Sequence, residues 1–515
     1  MKNSEKIEEN PRLFKEIKDD VLIKFFCCLI KKNEIEFINE METFDIYDEN
    51  IDELSDIVKY KEIDKVKLVQ ILKSLLIEGK RDEEKALVLK LQKLIFQRLW
   101  PHFVRNAIKL LRQEDPRDKG FLKFDFGVKN LMDYFKEFSK FEELLYGIDE
   151  YYRDHSLHVF RVYFLGEYLI REFLSGYSDL EILNLPNDIS AIESKEKEAM
   201  WLIIALCHDL GYPLQKLDEL NKKLLKILEY FGTSNFHQLR YSLPLEGTIL
   251  DKFILKIISS RLTDEFKIHL QSKFYTKYSN AYEKLNHGIM SCILLMKNLV
   301  YFKETDYESH FREGFISTKK DGKEKKFYEE DARQFIIRKE ILRAIASHDN
   351  EDIYHIKMNN FLFLLIISDE LQEWSRPASY RRILYPLDEK NKEIVKVAEF
   401  NKDSIDIEIT LNFSEQDLMK YSKKKFVKFI RLLRSAIDSD SRSFDFNIVV
   451  MNKENYKCIF KYKSPKRFYE KAENQNLSYD KPTCEKVNPD GEKDAEFNLK
   501  TITDLLNSKL IGKWE

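Results

Sequence analysis

The chain has 515 residues, with 43% hydrophobic and 34% charged positions and a net charge of −3. That is the composition of a folded, water-facing protein of about three or four domains, and so balanced a charge excludes bulk electrostatic capture by nucleic acid or an anionic membrane. Glycine (14) and proline (11) are scarce, which favours long helices over a turn-rich β protein.

The six cysteines, Cys27, Cys28, Cys207, Cys292, Cys458 and Cys484, show no CxxC spacing and mostly sit in apolar runs, as reduced thiols do. The opening segment lacks the apolar core of a signal peptide. The longest apolar runs, such as Phe361 to Ile367, are too short to span a bilayer. A cytoplasmic location with no membrane partner is the expectation; the sequence specifies no oligomeric state.

Residues 1–145 read as a helical N-terminal region. VLIKFFCCLIKK and KALVLKLQKLIFQRLW repeat apolar residues at three and four positions, with charged residues between. No chemistry is evident there. The pattern breaks around Asp115 to Gly127, a candidate boundary. Next comes YYRDHSLHVFRVYFLGEYLI. His158 begins a stripe through Val162, Leu165 and Leu169, and His155 lies one turn earlier, so either histidine can face the core. Arg161 and Arg153 are candidates for holding an anion.

The stretch MWLIIALCHDLGYP ends an apolar helix in His208 and Asp209, with Gly211 and Pro213 stopping it. Both polar residues continue the buried face, and a carboxylate entering a core is costly unless paired, for instance with a metal ion. Farther on, His287 is followed by Gly288, Ser291 and Cys292, small residues that leave room for a ligand or a close helix. Residues 303–332 are charged and turn-like. His348 then ends the stripe of Ile341, Ala344 and Ile345, beside Asp349. Asp369 follows the apolar run FLFLLII and Ser368. As a plain structural residue it needs a buried arginine, for which Arg376 is the candidate, or several amide donors.

Beyond Pro377 the texture changes. SIDIEITLNF alternates as a half-buried strand, KKKFVKFIRLLRSAI reads as an amphipathic helix, and FDFNIVVMNKENYKCIFKY as a hairpin turning at Asn452 to Asn455. This predicts a small α+β domain over 395–465, followed by a polar tail and terminal helix over 466–515. Lys423 to Lys425, with Lys428, Arg431 and Arg434, gives the helix a basic face; nucleic acid is an open but unfavoured partner.

His158, His208, Asp209, His287, His348 and Asp369 thus lie on the inward faces of five predicted helices. Imidazole with carboxylate suits Mn, Fe, Zn or Co, with Mg also open, and requires no thiolate. His158, His208, Asp209 and Asp369 make one set; His287 and His348, with Asp209 bridging, make a second.

In that order the residues resemble the HD-domain metal-dependent phosphohydrolase superfamily: HSLHVFRV its opening helix, HDLGYP its name-giving motif, then NHGIMSCILL, AIASHD and ISDELQEW. The resemblance covers roughly Tyr151 to Pro377 and favours His158 over His155 as first ligand. It implies a mainly α chain with an HD-type helical-bundle core over 146–380, one or two divalent ions, and hydrolysis of a phosphate ester or anhydride by metal-activated water. The implied substrate is a nucleotide or other small phosphorylated molecule. Asp209, His155 and His287 are the implied catalytic residues, and Arg161 and Arg153 the implied substrate contacts. The alternatives are an HD-type nuclease, or a ligand sensor or scaffold whose metal site is structural or vestigial.

Overall fold

The structure is a computed structural model. It describes residues 14–39, 44–45, 62–76, 82–113, 127–148, 154–182, 185–187, 189–230, 248–263, 268–303, 322–350, 359–374, 393–401, 403–437, 445–463, 483–491 and 493–494. The chain divides into two compact units, one of Leu22–Gln372 with Arg376–Pro386, the other of Met1–Val21, Glu373–Ser375 and Leu387–Glu515. Among the described residues no helix is long and apolar enough to cross a membrane.

The chain begins with a short strand, β1 (Lys15–Ile17), then α1 (Asp19–Lys31), α2 (Glu36–Asn39), β2 (Phe44–Asp45), β3 (Glu62–Ile63) and α3 (Lys65–Ser74). The long helices α4 (Asp82–Gln113) and α5 (Val128–Ile148) follow. The predicted N-terminal region is therefore helical with short strands interposed. A pairing of two residues, as in β2 with β3, has no periodicity for a sequence reading to detect. Pro101 lies inside α4.

Next come α6 (His158–Glu172), α7 (Ser194–Cys207), α8 (Tyr212–Glu229) and α9 (Thr248–Ser259). A two-stranded ribbon, β4 (Ser260–Leu262) with β5 (Ile268–Leu270), interrupts the otherwise helical predicted core. Then follow α10 (Ser272–Glu283), α11 (His287–Asn298), α12 (Val300–Lys303), α13 (Gly322–Ser347) and α14 (Phe361–Leu371). Helix α7 is central. It starts in a reciprocal capping box between Glu193 and Glu196 and is buried without interruption from Glu198 to Cys207, as expected of a helix apolar on every side. It packs on α4, α6 and α13. Gly166 of α6 permits the closest approach, since a Cβ there would lie 2.0 Å from the Trp201 ring.

The second unit is an α+β fold around a seven-stranded sheet in the order β1-β6-β7-β8-β9-β10-β11. Its strands after β1 are β6 (Ile394–Phe400), β7 (Ser404–Leu411), β8 (Asp445–Asn452), β9 (Lys457–Lys463), β10 (Thr483–Val487) and β11 (Lys493–Asp494). All neighbours are antiparallel except β7 and β8. That parallel pair needs a crossover, supplied by α15 (Glu415–Ile437). Phe426 and Phe429 of α15 meet Phe460 and Phe446 of the sheet.

The hairpin turns where the sequence predicts it. Asn455 takes φ 65°, and the Asn452 side chain accepts from the amides of Glu454 and Tyr456. Two boundaries differ from the prediction. The sheet takes β1 from the N-terminal region and β10 and β11 from the stretch read as polar tail. The basic face is also interrupted: Lys425 is buried and pairs with Glu373 at 2.7 Å. The predicted terminal helix and the side chains of Arg431 and Arg434 lie outside the described residues.

Candidate metal centre

The centre is assembled by helix ends. His208 caps α7 in helical conformation, and Pro213 sits in the first turn of α8, where its missing N–H costs nothing. Between them Gly211 lies against α11. A Cβ there would be 2.2 Å from the carbonyl oxygen of His287. The Gly211 amide donates to Ser291 Oγ at 2.7 Å, and that hydroxyl lies 2.8 Å from the carbonyl oxygens of both His208 and His287. Gly288 does the same for α13, with a Cβ position 2.5 Å from Ile345 O and 3.2 Å from His348 Nδ1. The small residues after His287 thus serve close helix packing. Asn286 and Asn360 cap α11 and α14 with their side chains.

These contacts bring all six predicted ligands together around Asp209. One carboxylate oxygen, Oδ2, lies 3.3 Å from His208 Nε2 and 3.8 Å from His158 Nε2. The other, Oδ1, lies 3.3 Å from His287 Nε2 and 3.5 Å from His348 Nε2. Asp369 Oδ1 is 2.8 Å from His158 Nε2, and the two Nε2 atoms of His287 and His348 are 3.0 Å apart. His158, His208 and Asp369 form one group with ligand atoms within 4.8 Å of one another; His208, Asp209 and His348 form another. Donors held about 2.1 Å from one ion lie about 3–3.5 Å apart; the His208, His287 and His348 distances to Asp209 match that separation, and the 3.8 Å from His158 exceeds it.

The ring nitrogens facing away from the centre decide its chemistry. His208 Nδ1 donates to Ala205 O at 2.8 Å and His348 Nδ1 to Ile345 O at 2.7 Å. His158 Nδ1 lies 2.6 Å from the Gln372 amide oxygen. His287 Nδ1 has two acceptors, Gln215 Oε1 at 2.5 Å and Asp349 Oδ2 at 3.0 Å. Each outward acceptor holds a proton on Nδ1 and turns Nε2 inward, where it carries a second proton in the metal-free protein or offers its lone pair to an ion, as second-layer partners do for ligating histidines. His208 Nε2 is buried with no hydrogen-bond partner, a loss that a cation would repair.

Charge points the same way. Burial opposes ionisation of Asp209, but His208 chiefly, helped by His287 and His348, holds its carboxyl well below the usual range. Burial is overridden at Asp369 too, by His158 first. Conversely, burial pulls down on His208 and Asp209 lifts it. His287, also against burial, is pushed up to about 10 by Asp349 and Asp209. Ionised carboxylates ringed by imidazole lone pairs need positive charge, which protons or a metal ion can supply.

His155 sits at the edge of the cluster. Its Nε2 is 4.0 Å from Asp209 Oδ2, its ring stacks on Tyr212 with centroids 3.8 Å apart, and its backbone amide donates to buried Glu142 at 2.6 Å. Of the two candidate first ligands, His158 is the one drawn into the group. Arg161 is buried beside Asp154, whose carboxyl it helps keep ionised after the larger contribution of Lys93. Arg153 and Arg376 lie outside the described residues. Glu142, Tyr212, Gln215, Asp349 and Gln372 surround the centre and were not singled out from the sequence. Gln372 alone carried a signal, one turn after Asp369.

No family model, no curated protein and no solved structure matches this chain.

Proposed function

We propose that this chain is a metal-dependent phosphohydrolase of the HD type, cleaving a phosphate ester or anhydride of a nucleotide or other small phosphorylated molecule. The observation that supports this reading is the single inward-facing cluster of four imidazoles and two carboxylates from separate helix ends, with Asp209 offering one oxygen to each half. In this reading an HD-type bundle core holds the site. His158, His208, Asp209 and Asp369 would bind one ion, and His287 and His348, with the other Asp209 oxygen, a second. A divalent ion (Mn, Fe, Zn, Co or Mg) supplies, when bound, a Lewis acid for the phosphoryl group and a nucleophile from water at neutral pH.

The chain's own groups do the rest. In this reading the Asp209 carboxylate would orient the ion and also accept the proton of the attacking water. His155 stands beside Asp209 without an inward ligand role, and its Nε2 is the group offered to the leaving oxygen. The Tyr212 stack and Glu142 Oε1, 3.7 Å from its Nδ1, hold its ring in place. Gln372 and Gln215 keep His158 and His287 in the tautomer that faces inward.

The test is phosphate release across a panel of nucleotides and simple phosphate esters, with and without Mn. Wild-type protein is expected to release phosphate only with metal. Folded Asp209→Ala is expected to lose at least about a thousandfold of that rate, as when a central catalytic group is removed. Metal binding with no turnover on any ester would point instead to a sensor or scaffold.

A further inference from the structure

The chain carries two His-Asp dipeptides at the centre, and the fold seats their histidines alike. His208 closes α7, and His348 follows the last residue of α13. Each ring turns its Nδ1 to the carbonyl oxygen three residues back, Ala205 at 2.8 Å and Ile345 at 2.7 Å. The other two histidines match as well, since His158 and His287 are the first residues of α6 and α11. Each half of the centre thus pairs a histidine at one helix start with a His-Asp dipeptide at another helix end. The two aspartates differ. Asp209 turns both oxygens among the ligands, and its side chain is 8% exposed. Asp349, 35% exposed, turns Oδ2 to the outer nitrogen of His287, Nδ1, at 3.0 Å. Asn286 holds it there. Its Nδ2 lies 3.3 Å from both Oδ2 and the carbonyl oxygen of Asp349, while its side-chain oxygen caps α11.

The two halves are unequal in charge. The half built on His158 and His208 has a carboxylate of its own, Asp369, besides its share of Asp209. The half built on His287 and His348 has, among the six ligands, its share of Asp209 alone. Two cations bound side by side repel, so the half poorer in carboxylate is the harder one to fill. A carboxylate behind a ligating histidine raises the basicity of the ring and strengthens the hold of its other nitrogen on a metal. Among the described residues, His287 is the one ligand histidine whose Nδ1 meets a carboxylate in this way. His158, His208 and His348 turn theirs to neutral oxygens of Gln372, Ala205 and Ile345.

We propose that Asp349 is the positioning residue that decides whether the centre holds a second ion: through the His287 ring it supplies the negative charge that Asp369 supplies directly in the other half. Gln215 Oε1, 2.5 Å from the same Nδ1, orients the ring without adding charge. This role rests on the metal-dependent reading of the centre.

Binding of Mn to the full-length, chelator-stripped protein tests this, with calorimetry reading affinity and electron paramagnetic resonance reading magnetically coupled ion pairs. Wild-type protein is expected to bind two ions and to show the coupled signal. Asp349→Asn keeps the shape of the side chain and an acceptor oxygen and removes only the charge. It is expected to bind the first ion as the wild type does, which also shows it to be folded, and the second about 10–100-fold more weakly. Adding Gln215→Glu to Asp349→Asn returns a carboxylate to the same ring nitrogen and is expected to recover the second ion, which a purely structural role for Asp349 does not predict. Wild-type protein that binds one ion only, Asp349→Asn that binds both as the wild type does, or a double variant without recovery would overturn the role of Asp349. Wild-type protein that binds no ion would overturn the metal centre itself.

Discussion

Gly288 shows how one missing carbon sets the centre. Its backbone touches the last turn of α13, and that approach brings His287 Nε2 to 3.0 Å from His348 Nε2. Gly288→Ala puts a methyl 2.5 Å from a carbonyl oxygen, so the helices must separate. A loss of about 1–3 kcal/mol in urea unfolding is expected from such overpacking, together with weaker metal binding. An alanine variant of unchanged stability and metal affinity would show that the contact is not needed. At this scale the sequence was informative where a ligand continued an apolar stripe, as with His158, His208 and Asp369. Periodicity alone left His155 beside His158, one turn apart, and only the family resemblance favoured His158, which the fold puts 2.8 Å from Asp369. Gln215 and Asp349 were illegible for the same reason. They meet His287 across 72 and 62 positions, and even the adjacency of Asp349 to His348 does not point to that contact.

Among the elements, α13 carries the heaviest burden of buried charge. It supplies His348 at its end, yet Arg333, Arg338, Lys339, Glu340 and Arg343 within it are all buried. Arg333 is repaid by a bidentate pair with Glu196, and Arg338 lies over the Tyr301 ring. Lys339 is served less well. Burial and the charge of Arg343 lower its ammonium to about 8, against the pull of Glu340 at 3.2 Å.

Between pH 8 and its ordinary value near 10.5 the unfolded chain therefore holds this proton and the folded chain does not. Stability from this group rises with pH across that window and is least below it, by roughly 3 kcal/mol in all. Replacing the pair by Lys339→Met with Glu340→Gln is expected to stabilise the protein at pH 7 and to flatten its profile relative to wild type, read by urea unfolding at pH 7, 8.5 and 10. Parallel profiles would refute this account of Lys339. The long helices were readable because a stripe sustained over several turns is unambiguous. Strands β1, β10 and β11 were not, since strands of two to five residues gain their identity from the neighbours they pair with.

Across the whole molecule, the helical unit gathers its predicted ligands at one spot. Four histidines, two aspartates and the amides that orient them sit among side chains that would otherwise be apolar, and such an arrangement is stable only if the centre gains positive charge. An ion bound at a hundred times its dissociation constant would add about 2.7 kcal/mol to folding. The seven-stranded α+β unit contributes none of the predicted ligands. The measurement that bears most directly on this account is calorimetric titration of chelator-stripped protein with Mn and Zn, repeated on Asp209→Asn and Asp369→Asn. Saturable binding of one or two ions per chain, accompanied by a higher melting temperature and abolished or halved in the two variants, is the expected result. Wild-type protein that binds no ion, or variants that bind as well as wild type, would contradict it.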